Sequence, residues 1–335
     1  MLWLGYKDGD VSSLLLNGDH DATKIQTQLI NFFTYLRNNG NNLSPRTLKQ
    51  YHTALKSFYE YNDINNINWR KVRKTIGHLA KKAIDRPYNY EEIRRLLNYA
   101  DERKRVIILL MASSGMCSGA ISGLKLRDLQ YIDEHSLYQI TVYRNEPEEY
   151  ITFCNFECAS AIQSYLDFRK RHGEILTDNS PLIRDHFNAR GATAQQARSV
   201  DTETIQNEIY FLLYQAGIRD HSNMKTKHGD RYQIMVTHAL RKHFKTKCMS
   251  AELNPVIVEM LMGHSVGLEK VYYKPQPQDL LKEYIKAIPA LTINEESRLK
   301  QKVDVLTVRD KEREDRLIKL QEQFELINKR LGLSK

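Results

Sequence analysis

Apolar residues in this chain recur at three- and four-residue steps almost throughout, and only between Leu137 and Phe153 does the period drop to two. That pattern restricts the fold more than any other feature, because helices and strands bury faces of different period. It predicts a mainly α protein with one small β-hairpin or sheet. In the exceptional stretch, Leu137, Gln139 and Thr141 alternate with Tyr138, Ile140 and Val142. Tyr150-Ile-Thr-Phe resumes the β character after a polar turn from Arg144 to Glu149, so the segment is expected to fold as a hairpin.

Residues 1–20 lack a clear period and are expected to form an arm. From 21 to 82 the pattern describes a small helical unit. Ile25, Leu29, Phe32, Phe33 and Leu36 share one face, and the Asn-rich run at 38–42 stops that helix. Ser44-Pro45 opens the next, with Ser44 as N-cap and Pro45 at the first helical position; its apolar face is Leu48, Tyr51, Leu55, Phe58 and Tyr59. A third element carries Trp69, Val72, Ile76 and Leu79. Residues 70–86 hold Arg70, Lys71, Arg73, Lys74, Lys81, Lys82 and Arg86 against the single acid Asp85, and this stretch reads as a basic linker ending at Pro87. A solvated helix face is the alternative. A second, larger domain spans 83–288, with helices from Asn89, from Val106 to Ser113, at 203–216, at 238–250 and at 254–263.

The tail, 289–335, differs in kind. Leu299, Val303, Leu306, Leu317, Leu320, Phe324, Ile327 and Leu331 fall at alternating four- and three-residue steps, and the two intervening core slots hold Asp310 and Arg313. This is a heptad with one polar interruption, which suits a coiled coil of specified register. A single amphipathic helix folded back on the body fits the same spacing.

Composition narrows the functional classes. Fifty Lys and Arg against forty-one Asp and Glu give a net charge of +9, a balance that suits a polyanionic partner. No uninterrupted apolar run approaches the roughly eighteen residues of a membrane span, and the first residues lack the basic-then-apolar layout of a secretion signal. Cys117, Cys154, Cys158 and Cys248 are too few and too scattered for a disulfide framework, and the Cys154/Cys158 pair has no second pair with which to hold zinc. No metal site, membrane association or small-molecule substrate is expected.

The chemistry-bearing residues stand in a fixed order. His238 and Arg241, three apart, share a helix face; Gly263-His264 follows at the end of an apolar helix; Tyr273 lies nine residues past His264, beside Tyr272. In this order, in a basic chain, the set resembles the tyrosine recombinases, the integrase family that breaks and rejoins DNA strands. The likeness covers most of the chain to about residue 285. SPRTLKQYHTALKSFYEY is similar to the family's helical core-binding domain, 83–288 to its catalytic domain, and ASSGMCSGAISGLKLRDL with the long tail to archaeal members.

The resemblance implies that Tyr273 is the nucleophile forming a 3′-phosphotyrosine link, that Arg241 clamps the phosphate, that His238 assists proton transfer and that His264 hydrogen-bonds the same phosphate. A guanidinium suits this work because its fork matches two phosphate oxygens that gain charge during attack. The covalent link keeps the bond energy for rejoining, so no cofactor is called for. Duplex DNA is the implied partner, with a homo-oligomer, a tetramer on DNA, as the working form and the cytoplasmic nucleoid as the place; a mobile element is one origin such a protein can have. Candidate DNA contacts are Arg46, Lys49, Arg70, Lys71, Arg73, Lys74, Lys81, Lys82, Lys242 and Lys245, with Lys225, Lys227, Arg231 and Lys247 adding charge near the site. By the same likeness, Asp279–Ala287 packs on a neighbouring subunit.

Two positions depart from the family. Its other arginine falls on Cys117, and a thiol offers no forked, permanently charged contact. Its hairpin lysine, the general acid, is missing from Arg144–Glu149, where Arg144 is the only base and a guanidinium gives up its proton poorly. Lys125 and Arg127 lie downstream, in what reads as the same helix as Cys117. Two readings follow: a recombinase with full or impaired cleavage, and a non-cleaving DNA-binding protein on a recombinase scaffold.

Overall fold

The computed structural model describes residues 22–38, 43–77, 85–186, 197–219, 234–267 and 274–330. Contacts divide the chain into two compact units, the second beginning at Asp85.

In the first unit, helices α1 (Ala22–Asn38), α2 (Pro45–Tyr61) and α3 (Trp69–Lys74) enclose a core of Ile25, Leu29, Phe33, Leu48, Tyr59, Ile64, Ile67, Val72 and Ile76. Ser44 caps α2 as the sequence predicts, its hydroxyl accepting from the Thr47 amide at 3.2 Å, with Pro45 in the first turn. The predicted apolar face of α2 needs one correction. Tyr51 is exposed, and His52 is buried instead, its Nε2 3.2 Å from the Trp69 carbonyl. A second correction concerns the basic run. Arg70, Lys71, Arg73 and Lys74 do not begin a linker; they ride on α3, whose Val72 is fully buried. All four point to solvent, as do Arg46 and Lys49 on α2. One apolar residue per turn is enough to dock a short helix and leave the rest solvated.

The second unit contains α4 (Tyr90–Asn98), α5 (Glu102–Ser114), α6 (Ser118–Gly123), the strands β1 (Leu129–Ile132), β2 (Leu137–Val142) and β3 (Tyr150–Cys154), and then α7 (Phe156–Arg171), α8 (Thr202–Gln215), α9 (His238–Ser250), α10 (Pro255–Leu261), α11 (Pro277–Leu291) and α12 (Glu295–Arg330). The hairpin is there, and β1 extends it to an antiparallel sheet in the order β1-β2-β3. Only β2 and β3 have the alternation that marks them in the sequence; β1 is four residues long and half exposed, so its pattern is too short to stand out. Helix α5 is buried on every side from Val106 to Ser114, which explains its continuous apolar run. Cys154, Cys158 and Cys248 are all free and buried in the core, where they pack as small apolar groups.

Helix α11 contains the segment predicted to lie on a neighbouring subunit. Within this chain one face of it is buried in its own unit: Leu280, Tyr284, Ala287 and Leu291 are buried, and the Tyr284 hydroxyl donates to the Ser113 carbonyl at 2.8 Å. Among the described residues no helix is long and apolar enough to cross a membrane.

Candidate active site

Helix α5 ends at Gly115, whose φ of +69° is the left-handed geometry that closes a helix. A side chain there is doubly excluded, since a Cβ would come within 2.4 Å of the Phe244 ring. This turn aims the Gly115 carbonyl back at α9, where the first turn presents Arg241. Gly263 closes the helix α10 region in the same way, with φ +70° and a would-be Cβ 2.5 Å from the Tyr150 ring. Two glycine-terminated segments thus approach Arg241 from opposite sides.

Arg241 is 9% exposed. It donates to the Gly115 carbonyl at 2.5 Å, to the Met262 carbonyl at 2.6 Å and to His264 Nε2 at 2.6 Å. Three of the five guanidinium N–H groups are committed this way, which fixes the fork. Because His264 Nε2 accepts, its proton sits on Nδ1, which donates to Glu259 in a short contact. Glu259 also takes a short ion pair from Lys245. Burial works against the Glu259 charge, but the hydrogen bonds from Lys245 and His264 outweigh it and hold the carboxyl below its usual range.

His238, on the exposed first turn of α9, has its imidazole shifted downward, first by desolvation and then by the positive charge of Lys242, which with Arg241 outweighs the opposing pull of Asp85. It therefore stays neutral at pH 7, the form that accepts a proton.

The opposite side of the site is built from a thiol and two phenols. Cys117 is exposed at the N-terminus of α6, its Sγ 3.8 Å from the Tyr143 hydroxyl. Tyr143 begins the hairpin turn with φ +54°, a left-handed conformation that a bulky residue adopts only under constraint. Burial first, and then the bond with Cys117, pushes its phenol up to about 12. Tyr150, at the other foot of the turn, is pushed well up by burial, against the opposing pull of the nearby Arg241. Both phenols remain protonated hydrogen-bond donors at neutral pH.

The remaining bases are accounted for differently from the sequence expectation. Arg144 faces away from the pocket, bonded through Nε to Asp128 at 2.7 Å and through Nη2 to the Arg127 carbonyl at 3.0 Å. Lys125 and Arg127 are not on the helix of Cys117, which ends at Gly123; Lys125 precedes and Arg127 lies within a separate short turn, Leu126–Asp128. Lys242 and Lys245 each hold a carboxylate, Asp85 at 2.5 Å and Glu259 respectively. In contrast, Arg46, Lys49, Arg70, Lys71, Arg73 and Lys74 have no acidic partner among the described residues. Tyr272, Tyr273, Lys81, Lys82, Lys225, Lys227 and Arg231 lie outside the described residues. Among the described residues no three His, Cys, Asp or Glu side chains converge as a metal-ligand set.

So the structure brings together Arg241, His264, His238 and Cys117. The sequence analysis missed Tyr143, Tyr150 and Glu259. The two tyrosines bracket the turn searched for a lysine, and Glu259 precedes His264 by five residues on the same helix–turn unit; their spacing was the available signal.

No protein-family model matches the chain, and no curated protein matches it in sequence. Its fold is similar to solved structures of DNA recombinases and integrases. The Tn1549 transposon integrase in complex with circular intermediate DNA aligns over 78% of this chain and 86% of its own, at 16% identity and a TM-score of 0.54. The XerH site-specific recombinase in a post-cleavage complex with a palindromic difH substrate aligns over 77% of this chain and 68% of its own, at 18% identity and a TM-score of 0.52. These likenesses establish the fold class: mostly helical, with one small antiparallel sheet.

Proposed function

We propose that this chain is a site-specific DNA recombinase of the tyrosine type. The observation that carries this reading is the guanidinium of Arg241, held by three protein acceptors next to His264 and His238 within a recombinase fold. In this reading Arg241 takes a phosphodiester oxygen, His264 holds the guanidinium in place and hydrogen-bonds the same phosphate only once Arg241 turns from its Nε2 to the anion and the ring gains a proton there, and neutral His238 receives the phenolic proton as Tyr273 attacks and displaces the 5′ oxygen. Charge stabilisation of this type is the largest single contribution to such displacements. The unpaired bases on α2 and α3 supply backbone affinity without reading sequence, and Lys242 and Lys245 exchange carboxylates for phosphates on binding. Duplex DNA is the partner, a homo-oligomer (a tetramer on DNA) the working form, and the nucleoid the site of action. The residues of the Ala112–Leu129 segment and the long tail favour the archaeal type.

The test is a nicked suicide substrate, from which the cleaved end diffuses away. A covalent protein–DNA adduct that disappears in Tyr273→Phe is the expected result. Salt-sensitive binding with no adduct overturns the cleaving reading and leaves the second one, a non-cleaving DNA-binding protein. One pair of observations favours that alternative: Cys117 stands where the family has an arginine, and Arg144 is tied to Asp128 instead of entering the pocket.

A further inference from the structure

Helix α12 leaves the second unit from a firmly anchored root. The Ile293 and Asn294 amides donate to Glu157 at 2.7 Å each, Arg94 pairs with Glu295 at 2.5 Å, and the Arg298 guanidinium lies 4.1 Å from the Tyr90 ring centroid. Beyond this root, Leu299, Val303, Leu306, Leu317 and Leu320 are each 53–60% exposed. They form a single stripe, and Asp310 and Arg313 occupy its middle, exposed and 3.6 Å apart.

The charges in that stripe discriminate between possible occupants. In a parallel pair of these helices, like positions meet, so Asp310 would face Asp310 and Arg313 would face Arg313 of the second copy inside the seam. In an antiparallel pair centred between residues 311 and 312, Asp310 meets Arg313 of the second copy twice over. The same register sets Leu306 against Leu317, Val303 against Leu320, and Leu299 against position 324, a phenylalanine. Sliding by one heptad breaks this match, placing Asp310 against Leu306 and Arg313 against Val303 with all four charges unpaired. At the solvent rim the register brings Arg316 near the like charge at position 309, an exposed contact that water and salt screen.

We infer that α12 is an antiparallel self-association helix whose occupant is a second copy of this chain, its register set by reciprocal Asp310–Arg313 pairs. The consequence is geometric. Each catalytic body is fixed to the root of its own helix, so the two bodies sit at opposite ends of a rod about 38 Å long between residues 299 and 324. This inference does not depend on the recombinase reading, and its test uses no DNA.

The full chain without DNA is expected to scatter light as twice 39.2 kDa. D310R, which sets arginine against Arg313, reduces the mass to that of one chain, and the double exchange D310R/R313D restores the dimer. Orientation is read from a spin label at K300C in a C117S background, since the other three cysteines are buried. Lys300 of one copy lies level with residue 323 of the other, so the expected label separation is about 35 Å. A native monomer, a mass unmoved by D310R, a double exchange that fails to dimerise, or a separation under about 20 Å overturns the inference.

Discussion

On one side of the candidate site, Arg241 is tied to two backbone carbonyls and His264, and His264 is tied in turn to Glu259. On the other, the Cys117 thiol and the Tyr143 hydroxyl touch across 3.8 Å, and burial keeps the Tyr143 phenol protonated at neutral pH. The first side is a guanidinium fork oriented by the protein itself; the second offers a thiol and a phenol where the family likeness calls for a guanidinium and an ammonium. The contrast teaches that binding a phosphate and stabilising its transition state are separable. One oriented guanidinium recognises the anion, whereas displacement needs charge distributed around all its oxygens.

The largest expected effect comes from making the two sides alike. Cys117→Arg is expected to raise adduct yield on the suicide substrate about a hundredfold, corresponding to roughly 3 kcal/mol for an added oxyanion donor. An unchanged yield would place the deficit elsewhere, at the absent hairpin lysine first. Next, Arg241→Ala leaves the Gly115 and Met262 carbonyls without donors, and urea unfolding is expected to show a loss of about 2 kcal/mol. A neutral result would mean that water replaces the guanidinium freely and that the first side is less fixed than its geometry indicates.

A smaller effect distinguishes the sides by pH. The Glu259 carboxyl is held below its usual value, so its contribution is complete above about 4.5 and is lost as the pH falls through the lowered value. Glu259→Gln should therefore be less stable than the native chain near pH 7, by up to about 1 kcal/mol for a partly exposed pair, with the two melting curves converging in acid. A gap that persists at low pH would mean that shape, not charge, holds His264. The smallest effect belongs to Tyr143→Phe, which removes a long hydroxyl–thiol contact and is expected to change stability by less than about 0.5 kcal/mol. A larger loss would show that the second side is also structurally committed.

Much of this was legible from the residues alone, for local reasons. Ser44-Pro45 and Asn89 specify helix starts because their side chains bond amides two or three residues away; Asn89 forms a full capping box with Glu92. His238 and Arg241 share a face because they are three apart on one helix. What escaped depends on contacts distant in sequence. Tyr143 and Tyr150 matter only because the sheet returns the chain beside α5 and α9, and Glu259 only because α10 is placed so that Lys245 reaches it. A buried cluster of Arg169, Arg184 and Glu174 likewise left no trace in the pattern, since ion pairs inside a core have no period.

By itself, then, the sequence determined the helical class, the position of β2 and β3, the helix caps, the order of His238, Arg241 and His264, and the heptad with its two charged slots, because each follows from spacing along a single element. Only the tertiary structure decided that Arg144 faces Asp128 and that α11 packs on its own unit, and it alone fixed which protein acceptors hold Arg241. Those outcomes depend on which of several available partners lies within hydrogen-bond reach, a property of packing that no one-dimensional pattern encodes.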